Sequence, residues 1–259
     1  MAAPVNTLKH RLAKGEVVNG IWLATGEPYL AEVAATAGFD WLLIDGEHAP
    51  NDLRSISAQF AIVRASGSAP VVRLVSDDPN RIKMALDVGA QTLLIPMVNT
   101  AEQARDVVRA TRYAPDGIRG SGAALGRATD FGKVTDYIQT AHHEIAILVQ
   151  IETQTAVANL DAILAVEGID GVFVGPSDLS VDMGHGGSFE PQDFQDTVFD
   201  VIARARAAGK AAGIIAPEGA FLDGCRAAGL NFVGLGADIV IFAQVLRDMA
   251  AAGKSKGGY

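Results

Sequence analysis

Eight short apolar runs, each separated from the next by a stretch of helical periodicity, leave this chain very few folds to adopt. The runs are NGIWLA (19–24), WLLID (41–45), PVVRLV (70–75), TLLIPMV (92–98), IAILVQIE (145–152), GVFVG (171–175), AGIIA (212–216) and NFVGLG (231–236). They are apolar at nearly every position instead of alternating, as parallel strands covered on both faces are. Patterns such as NDLRSISAQFAIVRA and TAEQARDVVRATRY lie between them, several opening on Asp, Thr or Pro and several closing on Gly, the start and stop signals of helices. Eight such units in 259 residues predict an α/β protein with a closed (β/α)8 TIM barrel, a fold that uses roughly 250 residues as one domain. An open doubly wound sheet seldom carries eight such regular units. No Pro/Ser-rich linker divides the chain, so residues 1–259 read as a single domain. One stretch breaks the rhythm: APDGIRGSGAALGRATDFG (114–132), long enough to carry a function or an interface.

Charge limits the partners. The formal net charge is −9 and basic runs are lacking, so the chain offers no nucleic-acid surface, and an anionic substrate must be met by a local positive charge. Cys225 is the single cysteine, which excludes a disulfide within the chain and suits a reducing cytoplasm; within LDGCRAAG it reads as a small buried side chain. The first residues lack the apolar core of a signal peptide, and no apolar run approaches the roughly 20 residues that cross a bilayer. The expectation is a soluble cytoplasmic protein without a membrane partner.

In such barrels, chemistry sits where strands end. Strand two runs into Asp45, Glu47 and His48; Arg73 interrupts strand three; strand five finishes with Gln150 and Glu152; strand six leads into GPSDL, with Ser177 and Asp178. Each has a bland reading alone: an acid past a strand can cap the next helix, and a lone arginine can pair with an acid. Independent caps have no reason to gather on neighbouring strands. Glu152 and Asp178, with no histidine beside either, make a hard oxygen-donor pair suited to Mg²⁺ or Mn²⁺, with Co²⁺ a third candidate. A 2-oxo acid can chelate such an ion, Arg73 can meet a developing oxyanion, and His48 can move a proton near neutral pH. Schiff-base chemistry is disfavoured, because no lysine lies in or at the end of a strand run.

WLLIDGEHAP, PVVR, TLLIPMV, RYAPDGIRG, VQIET and GVFVGPSDLS, in that order, resemble the metal-dependent pyruvate aldolases of the 4-hydroxy-2-oxoheptanedioate (hydroxyketoacid) aldolase family, from about residue 6 to about residue 250. The resemblance implies that His48 is the base, that Arg73 stabilises the enolate, and that Glu152 and Asp178 hold the divalent metal. It implies that Gln150 and the Ser177–Asp178 backbone contact the pyruvate portion, Ser177 standing where the family often has alanine. It assigns Asp87, in LDVG, to raising the basicity of the histidine. Asp87 ends a helix at the opposite face of its own barrel, so that role needs a neighbouring subunit's His48; Asp45 is the same-chain competitor for orienting His48. A homo-oligomer is expected, a hexamer built as a trimer of dimers, with the apolar helix ADIVIFAQVLRDMAAAG packed on, or swapped with, a neighbour. The expected activity is a lyase acting on small 2-oxo acids and aldehydes: reversible aldol cleavage of a 4-hydroxy-2-oxo acid to pyruvate and an aldehyde. The alternatives are cleavage of sugar-derived 3-deoxy-2-oxo acids such as 2-dehydro-3-deoxyglucarate, and non-catalytic binding of 2-oxo acids.

Overall fold

Eight parallel strands close on themselves in chain order: β1 (Val18–Leu23), β2 (Trp41–Asp45), β3 (Ala69–Arg73), β4 (Thr92–Ile95), β5 (Ala146–Ile151), β6 (Gly171–Val174), β7 (Ala211–Ile215) and β8 (Phe232–Ala237), with β8 paired back onto β1. The structure is a computed structural model that describes residues 1–256. The helices are α1 (Thr7–Ala13), α2 (Pro28–Ala35), α3 (Leu53–Ala65), α4 (Pro79–Asp87), α5 (Ala101–Thr111), α6 (Tyr137–Glu144), α7 (Gln154–Ala158), α8 (Leu160–Leu164), α9 (Pro176–Asp182), α10 (Gln192–Ala207), α11 (Ala220–Ala227) and α12 (Asp238–Lys256). The (β/α)8 barrel read from the sequence is the fold, and among the described residues no helix is long and apolar enough to cross a membrane.

The structure departs from the sequence reading in several details, α1 and α9 lying outside the helical patterns read there. The helix expected over 153–166 breaks at Asn159, whose side chain donates to the Asn99 backbone carbonyl at 2.8 Å; its backbone ends α7 and begins α8. The apolar run 92–98 leaves the sheet after Ile95, because Met97 takes a left-handed conformation with φ of 55°.

Large aromatics and glycines share the barrel interior. Trp22, Trp41, Phe173 and Phe232 are buried there, and Trp41 stacks on Phe232 with ring centroids 4.3 Å apart. Interior strand positions opposite them are glycines, which make the room. A Cβ on Gly20 would lie 2.1 Å from the Trp41 ring, one on Gly213 2.4 Å from Phe173, and one on Gly234 2.6 Å from Trp22. Below them, Leu8 and Leu12 of α1 join the same cluster and plug the N-terminal end of the barrel. A larger apolar layer joins the outer faces of the strands to the helices. At the seam, the Asp238 carboxylate accepts from the Ala24 amide at 2.8 Å and the Thr25 hydroxyl at 3.1 Å, tying the end of β1 to the start of α12. Helix α12 nevertheless leaves Val240, Phe242, Val245, Leu246 and Met249 exposed.

Gly20→Ala tests the interior. The added methyl has no space beside Trp41, so equilibrium urea unfolding is expected to show a loss of about 1–3 kcal/mol, as overpacking does.

Candidate active site

The register of β2 on β3 sets Asp45 beside Arg73. The pair is bidentate: Arg73 Nε donates to Asp45 Oδ1 at 2.8 Å and Nη2 to Oδ2 at 2.7 Å. The remaining Arg73 nitrogen, Nη1, lies 2.9 Å from Glu47 Oε2, so one buried guanidinium is held by two acids of one loop. Burial works against its charge, but the Asp45 hydrogen bonds and the Glu47 carboxylate outweigh it and raise the pKa above the ordinary arginine value. Gly46 between the acids allows this closeness. Its amide donates to the Arg73 carbonyl at 2.9 Å, and a Cβ there would lie 2.6 Å from that oxygen. Asp45 Oδ1 also accepts from the backbone amides of Glu47 at 3.0 Å and His48 at 3.4 Å, shaping the turn. Asn51 braces it from behind, donating to the Asp45 carbonyl and accepting from Ser55 and Gln59 of α3.

Asp45 thus holds Arg73 and the His48 backbone, not the imidazole. The His48 ring is exposed, and its Nε2 lies 3.8 Å from Glu47 Oε2. Of the two acids in DGEH, Glu47 is the one facing the histidine, a role the sequence did not disclose because both spacings allow it.

Glu152 comes in just past β5, almost wholly buried at 3% exposure. Its Oε2 accepts the Met97 amide at 3.0 Å, and its Oε1 accepts from the Gln150 side-chain amide. The left-handed turn at Met97 brings that amide to Glu152, and nothing in PMV signals it. Gly175 at the end of β6 makes a cradle: a Cβ there would fall 2.2 Å from Glu152 Oε1. Burial pushes the Glu152 pKa up to about 7; the Met97 hydrogen bond opposes this, Glu47 and Asp178 push it higher, and Arg73 opposes it. Glu47 is likewise raised, by burial first, with Asp45 and Asp178 adding to it. Asp178 and Ser177 are exposed in the first turn of α9, whose leading amides have no acceptor within the helix.

Burial and the neighbouring carboxylates thus push the Glu47 and Glu152 pKa values up, with Arg73 opposing both shifts. The buried side-chain carbonyl of Gln150 has no hydrogen-bond partner. Such an all-oxygen, over-negative site fits a hard divalent cation held by Glu152 and Asp178. Among the described residues, no three His, Cys, Asp or Glu side chains form a closed cage, so most coordination positions would fall to water and substrate.

Asp87 is not brought to His48 within the chain. It ends α4 near the N-terminal face, where Arg119 Nη2 donates to it at 2.8 Å. Arg119 is itself buried beneath Tyr113 and Tyr137. The loop 114–132 lies on the same face, Arg127 bonding to the Ser57 and Val88 carbonyls. Cys225 is buried, its thiol pushed up to about 12 by that burial, and takes no part.

Comparison with known proteins meets this geometry. The family described as HpcH/HpaI aldolase/citrate lyase matches residues 19–244. A hydroxypyruvate/pyruvate aldolase of Roseovarius nubinhibens is 56% identical over 97% of this chain and 98% of its own. A 2-keto-3-deoxy-L-rhamnonate aldolase of Klebsiella pneumoniae is 48% identical over 96% of this chain and 94% of its own. The crystal structure of a family protein from Burkholderia cenocepacia superposes with a TM-score of 0.91 at 38% identity, covering 96% of this chain and all of the other.

Gly175→Ala isolates the cradle. The backbone there is ordinary, with φ of −86°, so the barrel should fold while the methyl displaces Glu152. Stabilisation by added Mg²⁺ or Mn²⁺, read as a shift in Tm, should be lost while the metal-free Tm changes little.

Proposed function

The chain belongs to the HpcH/HpaI aldolase/citrate lyase family, and on that footing we propose that it catalyses reversible, divalent-metal-dependent aldol cleavage of 4-hydroxy-2-oxo acids to pyruvate, or a related 2-oxo acid, and an aldehyde. The observation that carries this reading is Arg73, fixed by Asp45 and Glu47 beside an acidic cluster that a cation would satisfy. Glu152 and Asp178 would hold the ion, Mg²⁺ or Mn²⁺ before Co²⁺, which supplies Lewis acidity at the keto oxygen of a bound 2-oxo acid.

The chain's own groups do the rest. Arg73 keeps its charge in a largely buried position and offers it to the oxyanion that develops as the C3–C4 bond breaks. His48 takes the proton from the C4 hydroxyl; the C3–C4 electrons pass into the enolate, and the aldehyde departs. Protonation of the enolate at C3 then gives the 2-oxo acid. Glu47, its Oε2 3.8 Å from His48 Nε2, is the acid that faces the ring through which this transfer runs. The first-turn amides of Ser177 and Asp178 and the side chain of Gln150 receive the carboxylate end of the substrate.

Sugar-derived 3-deoxy-2-oxo acids are the second reading, favoured by the rhamnonate aldolase among the relatives. A part for Asp87 and loop 114–132 in the reaction requires a neighbouring subunit, and the exposed apolar side of α12 suits such a homo-oligomer. We place the enzyme in the cytoplasm, the reducing compartment that its single cysteine suits.

Two measurements test this. Pyruvate in D₂O should lose its methyl proton signal with the enzyme and Mg²⁺ or Mn²⁺, and keep it with chelator. Arg73→Ala should slow that exchange by roughly 10²–10³-fold, and no exchange with any divalent ion would overturn the reading. The second concerns pH. Glu152 binds its proton more tightly folded, at about 7, than unfolded, near 4.5, so the metal-free protein should lose stability as pH rises through that window. The loss is on the order of 3 kcal/mol. Metal affinity should fall about tenfold per unit below pH 7, as the proton competes. Glu152→Gln should flatten both profiles.

A further inference from the structure

The N-terminal face of the barrel, opposite the mouth, holds a cavity of about 190 Å³ between the end of α3, the start of β4 and the first residues of the chain. Arg64, Arg127, Gln91 and Tyr137 line it, and among the described residues no Asp or Glu does, in a chain whose net charge is −9.

The guanidinium of Arg127 lies over the Phe60 ring, 5.8 Å from its centroid, and its hydrogen bonds run through one nitrogen. Its Nη1 donates to the Ser57 carbonyl at 2.9 Å, the Ser57 hydroxyl at 3.2 Å and the Val88 carbonyl at 3.1 Å. Among the described residues its Nε and Nη2 have no hydrogen bond, and neither Arg127 nor Arg64 pairs with a carboxylate. Burial and the nearby Arg64 both disfavour the Arg127 charge, and no acid offsets them. A bland account covers part of this: Arg64 suits the last turn of α3, Nη1 caps the Val88 carbonyl at the end of α4, and the guanidinium face rests on Phe60. It leaves unexplained the Nε–Nη2 edge, the fork with which arginine grips carboxylates and phosphates in bidentate fashion.

We propose that this cavity is a binding site for a small oxyanion, a carboxylate or a phosphate, held between the free edge of Arg127 and the guanidinium of Arg64. Bound there, the ion tightens the Arg127 link between α3 and the residue after α4, the helices that follow the strands ending at Asp45 and Arg73. The proposal stands whatever the substrate of the mouth is.

Titration calorimetry of the full-length protein in chelator, with inorganic phosphate and in parallel with succinate, tests this. Saturable binding of one ion per chain is expected, weakened roughly tenfold or more by Arg64→Ala and unchanged by Arg73→Gln. Arg64 is exposed, so its loss should leave folding intact. Binding of one ion alone identifies the source as phosphate or carboxylate. No saturable binding of either, binding unaltered by Arg64→Ala, or binding lost in an Arg73→Gln protein that keeps the wild-type circular dichroism and thermal transition, which would assign it to the mouth, overturns the proposal.

Discussion

One buried ion pair organises the mouth of the barrel. Asp45 and Arg73 end adjacent strands in register, so their side chains emerge on the same side of the sheet and must pair to be tolerated there. Once paired, they determine much else. The Asp45 oxygen that grips Arg73 also gathers the amides of Glu47 and His48, which turns the loop and brings Glu47 to the last guanidinium nitrogen. Glu47 then stands between Arg73 and the His48 ring. A single cation thereby sets the positions of two acids and the peptide that carries the histidine.

The barrel beneath has to be stiff for this to hold. Four aromatic side chains fill its interior because glycines on neighbouring strands make way for them. Close packing of that kind has few alternative arrangements, so the strand ends above it are held in fixed register. The same economy recurs at the mouth, where Gly46 admits the Arg73 carbonyl and Gly175 admits the Glu152 carboxylate. Glycine is used in both layers for close approach, and an ordinary φ at Gly175 shows that backbone freedom is not its purpose there.

The fold was legible in the sequence because eight apolar runs at regular intervals have one closed solution, and every run overlaps a strand. The polar strand ends were legible too, since Asp45, Gln150 and Glu152 are buried, and Arg73 largely so, in otherwise apolar runs. What escaped is what depends on angle and not on order. Sequence spacing allowed Asp45 or Glu47 to face His48, and only the commitment of Asp45 to Arg73 decides between them. The left-handed turn at Met97, a bulky residue with no propensity for it, and the break of a helix at Asn159 lie equally outside pattern reading. Asp87 was expected on the far side of its own barrel, and Arg119 holds it there.

The two faces of the barrel are left in opposite electrostatic debt. At the mouth, burial and neighbouring carboxylates push the Glu47 and Glu152 pKa values up around one arginine. At the far face, two arginines border a cavity without an acid among the described residues. Local arrangements of this sort work against folding, and a stable chain retains them where a ligand of opposite charge completes them. The glycines, caps and hydrogen bonds that immobilise these groups do not relieve the imbalance: Met97 and Gln150 hold Glu152 in position while its burial still penalises its charge, and Ser57 and Val88 hold Arg127 by one nitrogen while its fork stays unpaired. Rigid placement with unmet charge is the physical description of a preorganised site, and it applies at both ends of this barrel.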